Sequence, residues 1–474
     1  MLRGSLPRER ASHFAPLASS MKLAIVGGGW AGMAAAVAAV ERGLDVTVFE
    51  AARVLGGRAR ALAATRPDGV ALTLDNGQHI LIGAYSESLR LMRHVGPAPE
   101  QNLMALPLAL PYPDGSGLQT PPWAAPLPAP LDALAAIATA RGWSWSERLA
   151  LIRASLAWRR SGFACAPKLT VGELCAALPQ RVMDELIEPL CVSALNLPAH
   201  QASAAIFLQV MRDALFGPKV GSWSASSLLL PRVDLSALFP QSAARWLQAT
   251  HPHTSRVHLG ARVEALQPAQ GGWRLQSRRN GEVAEQHFEA VIWATAATPA
   301  AQAMQQADRD TEAHQSDIGA RLAAWAIDAA ALDFTAITTV YAWATDARLP
   351  APMLALRSTA QAPAQFVFDR GQLNPADTGA QGVLAFVISA SEGERDALEA
   401  AVLRQAHEQL GLTTLQPIQT VVDKRATFAC TPGLHRPAQA IAPGLWAAGD
   451  YVAGPYPATL EGAVRSGLAA VAQL

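Results

Sequence analysis

The feature that most constrains the fold is a glycine motif between a short apolar run and an alanine-rich segment. Residues 22–26 (KLAIV) are almost wholly apolar, which is typical of a central parallel strand. The sequence GGGWAG follows at residues 27–32 and fits the pattern G-x-G-x-x-G, and residues 33–42 predict a helix. Residues 45–49 predict a second strand, with Glu50 after it. This order predicts a Rossmann-like unit that binds a dinucleotide.

Each position of the motif has a physical role in such a unit. Gly27 permits a tight turn, Gly29 lets backbone N–H groups approach a pyrophosphate, and Gly32 lets the helix pack close to the strand. The positive end of that helix points at the phosphates. Glu50 stands 18 residues beyond Gly32 and can accept hydrogen bonds from ribose hydroxyls. We therefore expect the cofactor to be bound by Gly27, Gly29, Trp30, Ala31, Gly32 and Glu50.

A second glycine pair, Gly56 and Gly57, follows Glu50 and precedes Arg58. This segment resembles the extended fingerprint of flavoproteins of the amine-oxidase and phytoene-desaturase type. The resemblance implies that the segment runs along the diphosphate of FAD towards the flavin, with Arg58 as a charge-assisted partner of phosphate. The alternative for Arg58 is a solvated surface arginine.

The C-terminal end carries a second match to the same superfamily. Residues 444–448 predict a strand, Gly449 and Asp450 end it, and residues 460–468 predict a helix that contains glycines. The resemblance implies that Asp450 binds ribitol hydroxyls and that the helix N-terminus faces the pyrimidine end of the flavin. The alternative for Asp450 is a helix cap. Because the two matches stand near opposite ends of the chain, we expect FAD as the cofactor.

Together with the motifs, the resemblance implies an α/β fold, α+β overall, with a Rossmann-like FAD-binding domain of the amine-oxidase and phytoene-desaturase type and an interleaved substrate domain. Residues 257–266, 273–276 and 288–295 alternate like strands. The resemblance places an antiparallel hairpin there, with the backbone near Val263 against the adenine. The predicted ranges are a loose extension at 1–20, a discontinuous FAD domain at 21–90, 245–300 and 420–474, and a substrate domain at 91–244 and 301–419. Within the latter, strands are predicted at 336–345, 365–369 and 383–389.

Composition excludes several classes of function. The chain has 38 Lys and Arg against 38 Asp and Glu, which argues against a nucleic-acid binder held by bulk charge. Its four cysteines form no C-x-x-C pair and no H-E-x-x-H occurs, so no metal site is expected. No uninterrupted apolar run reaches the roughly 18 residues of a spanning helix. The 50% hydrophobic content and 12 Trp suit an apolar ligand or a lipid-facing surface.

Residues 127–160 are rich in Ala and Leu, contain Trp143, Trp145 and Trp158, and end in Arg159 and Arg160. Interfacial helices combine apolar bulk, Trp and a cationic edge in this way. The segment therefore predicts either a membrane-facing surface or an ordinary pair of core helices.

Three internal segments make the resemblance specific to one family within this superfamily. Residues 75–85 (DNGQHILIGAY), 188–198 (EPLCVSALNLP) and 230–239 (LPRVDLSALF) together resemble the squalene-associated FAD-dependent desaturase family of the bacterial hopanoid pathway. The resemblance implies reductive removal of the allylic hydroxyl of hydroxysqualene, a C30 isoprenoid, to give squalene. It also implies hydride transfer from reduced FAD and a nicotinamide, NADPH or NADH, as electron donor. We expect a cytoplasmic protein, peripheral on the inner face of the membrane, with a hydroxysqualene-producing synthase as partner.

Two residues are candidates for the proton donor to the leaving hydroxyl. His79 titrates near neutrality and follows the strand-like approach to the flavin, and its alternative is a histidine that only hydrogen-bonds within the fold. Asp75 is the second candidate, with fixation of the loop backbone as its alternative.

Three other functions remain open from the sequence. A carotenoid-type desaturase would use the same flavin and tunnel but would abstract hydride from an isoprenoid. An amine oxidase usually needs a lysine near the flavin, and Lys424 is the lysine available in the C-terminal part. A non-catalytic flavoprotein that scaffolds isoprenoid synthases is the third.

Overall fold

The computed structural model describes residues 20–124, 127, 130–217, 220–310 and 316–474. The predicted extension at 1–20 lies outside these residues except for Ser20. The strands in chain order are β1 Lys22–Val26, β2 Asp45–Glu50, β3 Ala61–Thr65, β4 Ala71–Asp75, β5 Leu81–Ile82, β6 Leu103–Leu106, β7 Ala109–Pro111, β8 Gly117–Gln119, β9 Leu228–Pro231, β10 Ser255–Leu259, β11 Ala261–Ala269, β12 Gly272–Arg279, β13 Glu282–Phe288, β14 Ala290–Trp293, β15 Phe334–Trp343, β16 Met353–Ala355, β17 Phe366–Asp369, β18 Val383–Ser389, β19 Gln416–Phe428, β20 Ala440–Ala442 and β21 Leu445–Ala447.

The helices alternate with these strands and fill the long connection between β8 and β9. In chain order they are α1 Trp30–Glu41, α2 Ser86–Val95, α3 Pro99–Asn102, α4 Leu131–Ala138, α5 Trp145–Arg160, α6 Val171–Leu174, α7 Gln180–Val182, α8 Glu188–Leu195, α9 Ala204–Phe216, α10 Leu235–Leu238, α11 Pro240–Thr250, α12 Ala297–Arg309, α13 Ser316–Ala330, α14 Arg370–Leu373, α15 Arg395–Leu410 and α16 Leu460–Ala472. A π-helical segment, Met183–Ile187, leads into α8.

One mainly parallel sheet is assembled from distant parts of the chain. Its order is β10-β2-β1-β14-β21-β20, and β20 alone among these strands runs antiparallel to its neighbour. The interior of β1 is buried on both faces, as its apolar sequence requires. Gly467 lets α16 pack closely against α1, because a Cβ on Gly467 would lie 2.2 Å from the Ala31 carbonyl oxygen. The predicted α/β class is confirmed.

The prediction of single strands at 257–266 and 288–295 was wrong, because each run contributes to two sheets. Gly260, with φ +64°, separates β10 in the parallel sheet from β11 in a three-stranded antiparallel sheet. Glu289 likewise separates β13 from β14. The hydrophobic pattern concealed both changes of sheet, since it does not report the partner of a strand.

A five-stranded antiparallel sheet, in the order β16-β17-β18-β15-β19, contains the strands predicted at 336–345, 365–369 and 383–389. The predicted domain boundary between residues 419 and 420 falls inside β19, which pairs along β15. The rest of the proposed domain division stays a prediction. The ladder between β15 and β19 is broken by a wide bulge, since Ile337 pairs with Asp423 and Thr335 with Thr427. Ala426, within this bulge, accepts a hydrogen bond from the Arg58 side chain through its backbone carbonyl.

The helices α4–α9 lie between β8 and β9 in the chain. Asn196, at φ +51°, ends α8 and joins it to the five-stranded sheet, since its amide group donates to the hydroxyls of Thr335 and Thr427. The predicted segment 127–160 is a helix pair, α4 and α5, and its residues 128 and 129 lie outside the described part. Among the helices of the described residues, none is long and apolar enough to cross a bilayer.

Candidate active site

The glycine turn between β1 and α1 has the geometry of a phosphate-binding loop. Gly27 has φ +115°, and a Cβ on Gly32 would lie 1.9 Å from the Gly27 carbonyl oxygen, so both positions exclude side chains. Gly29 precedes α1, whose first turn holds no acidic residue and no capping side chain. Its first backbone N–H groups are therefore available to an anion.

Glu50 braces this turn from the end of β2. Its carboxylate accepts one hydrogen bond from the Gly28 backbone N–H and one from the Ala52 backbone N–H, each at 2.7 Å. The side chain is partly exposed, and each carboxylate oxygen keeps a further lone pair for a hydroxyl. Glu50 can therefore hold the turn and a ribose together.

The second glycine pair lies beside the first turn, as the sequence predicts. Gly29 and Gly56 form a parallel bridge, and the Gly56 backbone N–H donates to the Gly28 carbonyl at 3.0 Å. A Cβ on Gly57 would meet the Gly29 Cα at 3.5 Å, and a Cβ on Gly29 would meet no atom within 3.9 Å. The two turns thus border a shallow groove whose walls are backbone.

Arg58 and Asp450, predicted separately to bind the cofactor, form an ion pair with each other. Arg58 also donates to the Ala426 carbonyl on the bulge of β19 at 2.7 Å. Burial opposes the charge of Arg58, but Asp450 overcomes this and raises its pKa. The ion pair joins the two ends of the chain. The structure does not place Arg58 as a lone solvated arginine.

The residues present fit a bound FAD on an observation apart from the motifs. The Tyr451 hydroxyl is buried beside Asp450 and has no hydrogen-bond partner among the described residues. Its ring lies against Gly449, where a Cβ would come within 2.5 Å. An unpaired buried hydroxyl costs about 1–3 kcal/mol, and a polar ligand between the two glycine turns and Asp450 would remove that cost.

Other predicted cofactor residues contribute through the backbone or lie further away. The Trp30 side chain points into the core against Phe239, with ring centroids 5.3 Å apart, so only its backbone and that of Ala31 face the turn. Val263 lies on β11 next to a bulge between Val263 and Ala265. A contact between the Val263 backbone and adenine stays a prediction.

Asp75 is buried where β4 ends. One carboxylate oxygen accepts from the Leu235 backbone N–H at 2.8 Å, and the other lies 3.6 Å from Arg370. Burial raises the pKa of Asp75 to about 6, although Arg370 opposes the rise. The Tyr341 hydroxyl donates to the Asp75 carbonyl at 2.9 Å. Asp75 is therefore firmly held in the fold.

His79 lies close enough to Arg58 and Asp423 to sense both charges. One ring nitrogen, Nδ1, is 2.7 Å from the Gly77 carbonyl oxygen, which can only accept, so Nδ1 carries the hydrogen. Burial is the main cause that lowers the pKa of His79 below its ordinary 6.5. At neutral pH the ring is therefore uncharged, and Nε2 is the atom that gains or loses a proton.

Sequence reasoning missed three polar residues around this loop. Thr339 and Tyr341 project from the same face of β15 towards residues 75–79, and Arg370 donates to the Gln78 side chain at 3.1 Å. The available signal was polar residues at alternate positions of a strand that otherwise reads as buried. Among the described residues, no group of three or more His, Cys, Asp or Glu could hold a metal.

A glycine turn at a parallel sheet edge, a second glycine pair and an acidic residue returned by the C-terminus define a flavin-dependent oxidoreductase. A model of the flavin containing amine oxidoreductases matches residues 30–474. The chain belongs to this family, and its cofactor is FAD.

Relatives and a solved structure extend this assignment. The chain is 25% identical to hydroxysqualene dehydroxylase of Rhodopseudomonas palustris over 472 residues, which cover 94% of this chain and 96% of the relative. It is 31% identical to zeta-carotene desaturase of Capsicum annuum over 102 residues, 22% of this chain and 16% of the relative. An oxidoreductase from Methanosarcina mazei superposes with a TM-score of 0.68 at 13% identity, covering 96% of this chain and 100% of the other, which shows the shared fold.

Proposed function

We propose that this protein removes the allylic hydroxyl of hydroxysqualene by reduction and releases squalene and water. The observation that carries the proposal is the nearly complete alignment with the Rhodopseudomonas dehydroxylase, which covers 94% of one chain and 96% of the other. The alignment with zeta-carotene desaturase covers only 22% of this chain. A relative that matches along both chains also matches the regions outside the nucleotide motifs, where the substrate is expected to bind.

The reaction replaces a C–O bond by a C–H bond, so it consumes one hydride and one proton. Reduced flavin supplies the hydride when it is bound. His79 supplies the proton in this proposal, because its Nδ1–H bond to Gly77 is kept in both protonation states and leaves Nε2 free to give a proton. A lowered pKa makes the protonated ring a stronger acid towards the leaving hydroxyl.

Asp75 has a positioning role in this proposal. Its carboxylate is engaged by the Leu235 backbone and by Arg370, and its carbonyl accepts from Tyr341. These contacts fix the loop that carries His79. An acid with these partners would have to break a hydrogen bond in order to reach a substrate.

The substrate, electron donor and partner follow from the chemistry. A C30 hydrocarbon chain gains about 0.8 kcal/mol for each buried CH₂, so an apolar site binds it without charges. Each turnover consumes two electrons, and a reduced nicotinamide, NADPH or NADH, is the proposed source. A hydroxysqualene-producing synthase is the proposed supplier of this water-insoluble substrate.

An anaerobic single turnover tests the function. The flavin of the purified protein is photoreduced, hydroxysqualene is added in detergent, and the lipids are analysed by gas chromatography and mass spectrometry. We expect squalene to form while the absorbance of oxidised flavin returns. The oxidised protein with the same substrate is the control. No squalene and no return of absorbance would refute the proposal.

The second candidate is desaturation of an isoprenoid, which the partial match to zeta-carotene desaturase favours. In that case the oxidised protein would be bleached anaerobically by a carotenoid precursor and a new double bond would form.

A non-catalytic scaffold is distinguished by Glu50→Ala, which removes the carboxylate at the glycine turn. If squalene output of a reconstituted pathway survives complete loss of FAD in this variant, the protein is not acting as an enzyme.

A further inference from the structure

Helix α5 carries apolar side chains on its solvent side. Trp145, Leu149 and Leu156 are all exposed, Trp145 to 71%. Their spacing of four and seven residues places them on one face of the helix. The opposite face buries Leu151 and Trp158. Surface helices normally present polar residues outward, so the apolar side chains on this face indicate a contact surface.

The apolar face continues beyond α5. Phe216, at the end of α9, is exposed and packs against Phe163 with ring centroids 5.4 Å apart. The Arg159 guanidinium lies 5.3 Å from the centre of the Phe216 ring. We call the set Trp145, Leu149, Leu156 and Phe216 the α5 ridge. Most of the exposed large apolar side chains of the described residues lie between Trp123 and Phe216.

The charges beside the ridge are positive. Arg153, Arg159 and Arg160 are exposed on α5, and none of them has an ion-pair partner among the described residues. The acid of α5, Glu147, is engaged in the cap at the helix start. A ridge of Trp and Leu with arginines that lack ion-pair partners is complementary to an anionic bilayer surface, where apolar insertion and basic residues both favour binding.

We propose that the α5 ridge docks the protein on the surface of an anionic lipid bilayer, with Trp145 at the level of the headgroups. Trp is enriched at that depth because its ring is apolar and its N–H stays hydrated. The choice of a bilayer over a protein partner rests on the proposed function, since a C30 isoprenoid substrate partitions into lipid. The ridge would then hold the protein at the phase that contains its substrate.

Co-sedimentation of the FAD-loaded protein with vesicles tests this surface without measuring activity. The vesicles are phosphatidylcholine, with or without phosphatidylglycerol. We expect binding that requires phosphatidylglycerol and weakens by about tenfold or more in Trp145→Gln/Leu149→Gln. Arg153→Gln/Arg160→Gln should weaken binding mainly at low salt. The matched control is Ile327→Gln, which removes an apolar side chain that is 66% exposed on α13 and should leave binding unchanged.

Several outcomes would overturn the docking proposal. Wild-type protein that stays in the supernatant with anionic vesicles would do so, as would equal sedimentation of the ridge and Ile327 variants. A dimer in solution that Trp145→Gln/Leu149→Gln converts to a monomer would assign the ridge to contact between copies instead. Turnover of detergent-solubilised hydroxysqualene separates these results from the proposed function, because it should be the same in ridge variants and wild type.

Two neighbouring threonines of β15 lie beside the loop that carries His79. Thr338 and Thr339 are adjacent and buried on β15, and they face opposite sides. The Thr338 hydroxyl donates to the Ser391 hydroxyl at 2.9 Å. The Thr339 hydroxyl is 1% exposed and has no hydrogen-bond partner within the described residues. A Cβ on Gly77 would lie 3.7 Å from the Thr339 hydroxyl oxygen and 3.8 Å from His79 Cε1. The Thr339 hydroxyl and the His79 ring therefore border the same point.

We infer that the Thr339 hydroxyl donates a hydrogen bond to a ligand atom beside His79. A buried hydroxyl left unpaired is destabilising, so we expect a hydrogen-bond acceptor at this point. The acceptor is an oxygen or nitrogen, supplied either by the flavin ring or by the hydroxyl of the substrate. The inference about the substrate rests on the proposed function, and the inference about the flavin does not.

Thr339→Val tests this role, and Thr338→Val is its matched control. Each variant replaces a hydroxyl by a methyl at a buried strand position. If the flavin is the acceptor, Thr339→Val shifts the visible absorption of bound FAD and weakens FAD binding by roughly tenfold. If the substrate hydroxyl is the acceptor, the flavin spectrum is unchanged and KM for hydroxysqualene rises by a similar factor. Thr338→Val should lower the thermal stability and change neither quantity.

The inference fails if Thr339→Val leaves the flavin spectrum, FAD affinity and KM all unchanged. It also fails if the variant lowers the thermal stability of the FAD-free protein as much as Thr338→Val does, because that result would show that the Thr339 hydroxyl is already paired within the protein.

Discussion

Replacing Gly29 with alanine separates the folding role of the glycine motif from its binding role. Gly29 has φ −78° and ψ −173°, which alanine adopts without strain, and a Cβ there would meet no atom within 3.9 Å. We therefore expect the free energy of unfolding of the FAD-free protein to be unchanged or to rise by about 0.4–1 kcal/mol, because alanine restricts the unfolded chain.

The same methyl group projects into the groove that faces Gly57, so it should weaken FAD binding. Loss of one charge-assisted hydrogen bond from the backbone to a phosphate costs about 1.5–3 kcal/mol. That cost corresponds to a dissociation constant for FAD that is roughly 10 to 150 times larger.

Two measurements follow the effect of Gly29→Ala, namely FAD titration monitored by fluorescence and urea denaturation of the FAD-free protein. The control is Gly32→Ala, whose Cβ would lie 1.9 Å from the Gly27 carbonyl oxygen, so it should impair folding as well as binding. If Gly29→Ala binds FAD with wild-type affinity, the groove between the glycine turns is not the diphosphate site and the reasoning is refuted.

Three further predictions concern ionisable residues of the site. Burial raises the pKa of Asp75 to about 6, so the folded protein favours the protonated carboxyl. The stability that this gives is complete below the pKa of Asp75 in the unfolded chain and is lost as pH rises through the pKa in the folded protein. The free energy of unfolding should fall by on the order of 3 kcal/mol between about pH 4 and pH 7, and Asp75→Asn should flatten this dependence in denaturation curves; an equal slope in the variant would contradict it. Because protonated His79 is the proposed acid and its pKa is lowered, kcat/KM should fall about tenfold per pH unit above that pKa, and His79→Gln should abolish this profile and reduce the rate by about 10²–10⁴-fold; a retained profile would exclude His79 as the donor. Arg58→Met should lower the melting temperature because Asp450 loses its partner, whereas Arg58→Met/Asp450→Asn should recover stability without recovering FAD affinity; a double variant with wild-type FAD affinity would show that the pair has no binding role.

The parts of the site that follow from local backbone demands were predictable from the sequence. A side chain on Gly32 would collide with the Gly27 carbonyl oxygen within the same short unit, and Gly27 has φ +115°, a backbone conformation that favours glycine. The strand before them and the acidic residue after β2 complete a pattern that is set within about thirty residues. The nucleotide turn could therefore be predicted from local backbone constraints, without knowledge of the tertiary contacts.

Contacts between distant strands could not be predicted in the same way. Arg58 and Asp450 were both recognised, but nothing in the sequence indicates that they pair with each other. Thr339 was missed because alternation along a strand gives two faces without saying which loop covers each face. The break at Gly260 was missed for the related reason that continuous alternation does not identify the sheet a strand joins.

The interfacial interpretation of residues 127–160 shows the same limit on a helix pair. Trp143 and Trp158 are buried, and Trp145 is exposed. Composition identified a segment rich in Trp, but the direction of each indole depends on how α5 packs against its neighbours. The sequence could therefore suggest a lipid-facing segment without identifying the residues that face outward.

The most direct test of the proposed reaction is the deuterium content of squalene formed by the photoreduced protein in D₂O. The hydride that reduced flavin donates exchanges with solvent, so reductive dehydroxylation should place a single deuterium on the carbon that lost its hydroxyl. Mass spectrometry that finds one deuterium per squalene, with the return of one equivalent of oxidised flavin, is the predicted result. Squalene without deuterium, or a product with an additional double bond, would contradict the account.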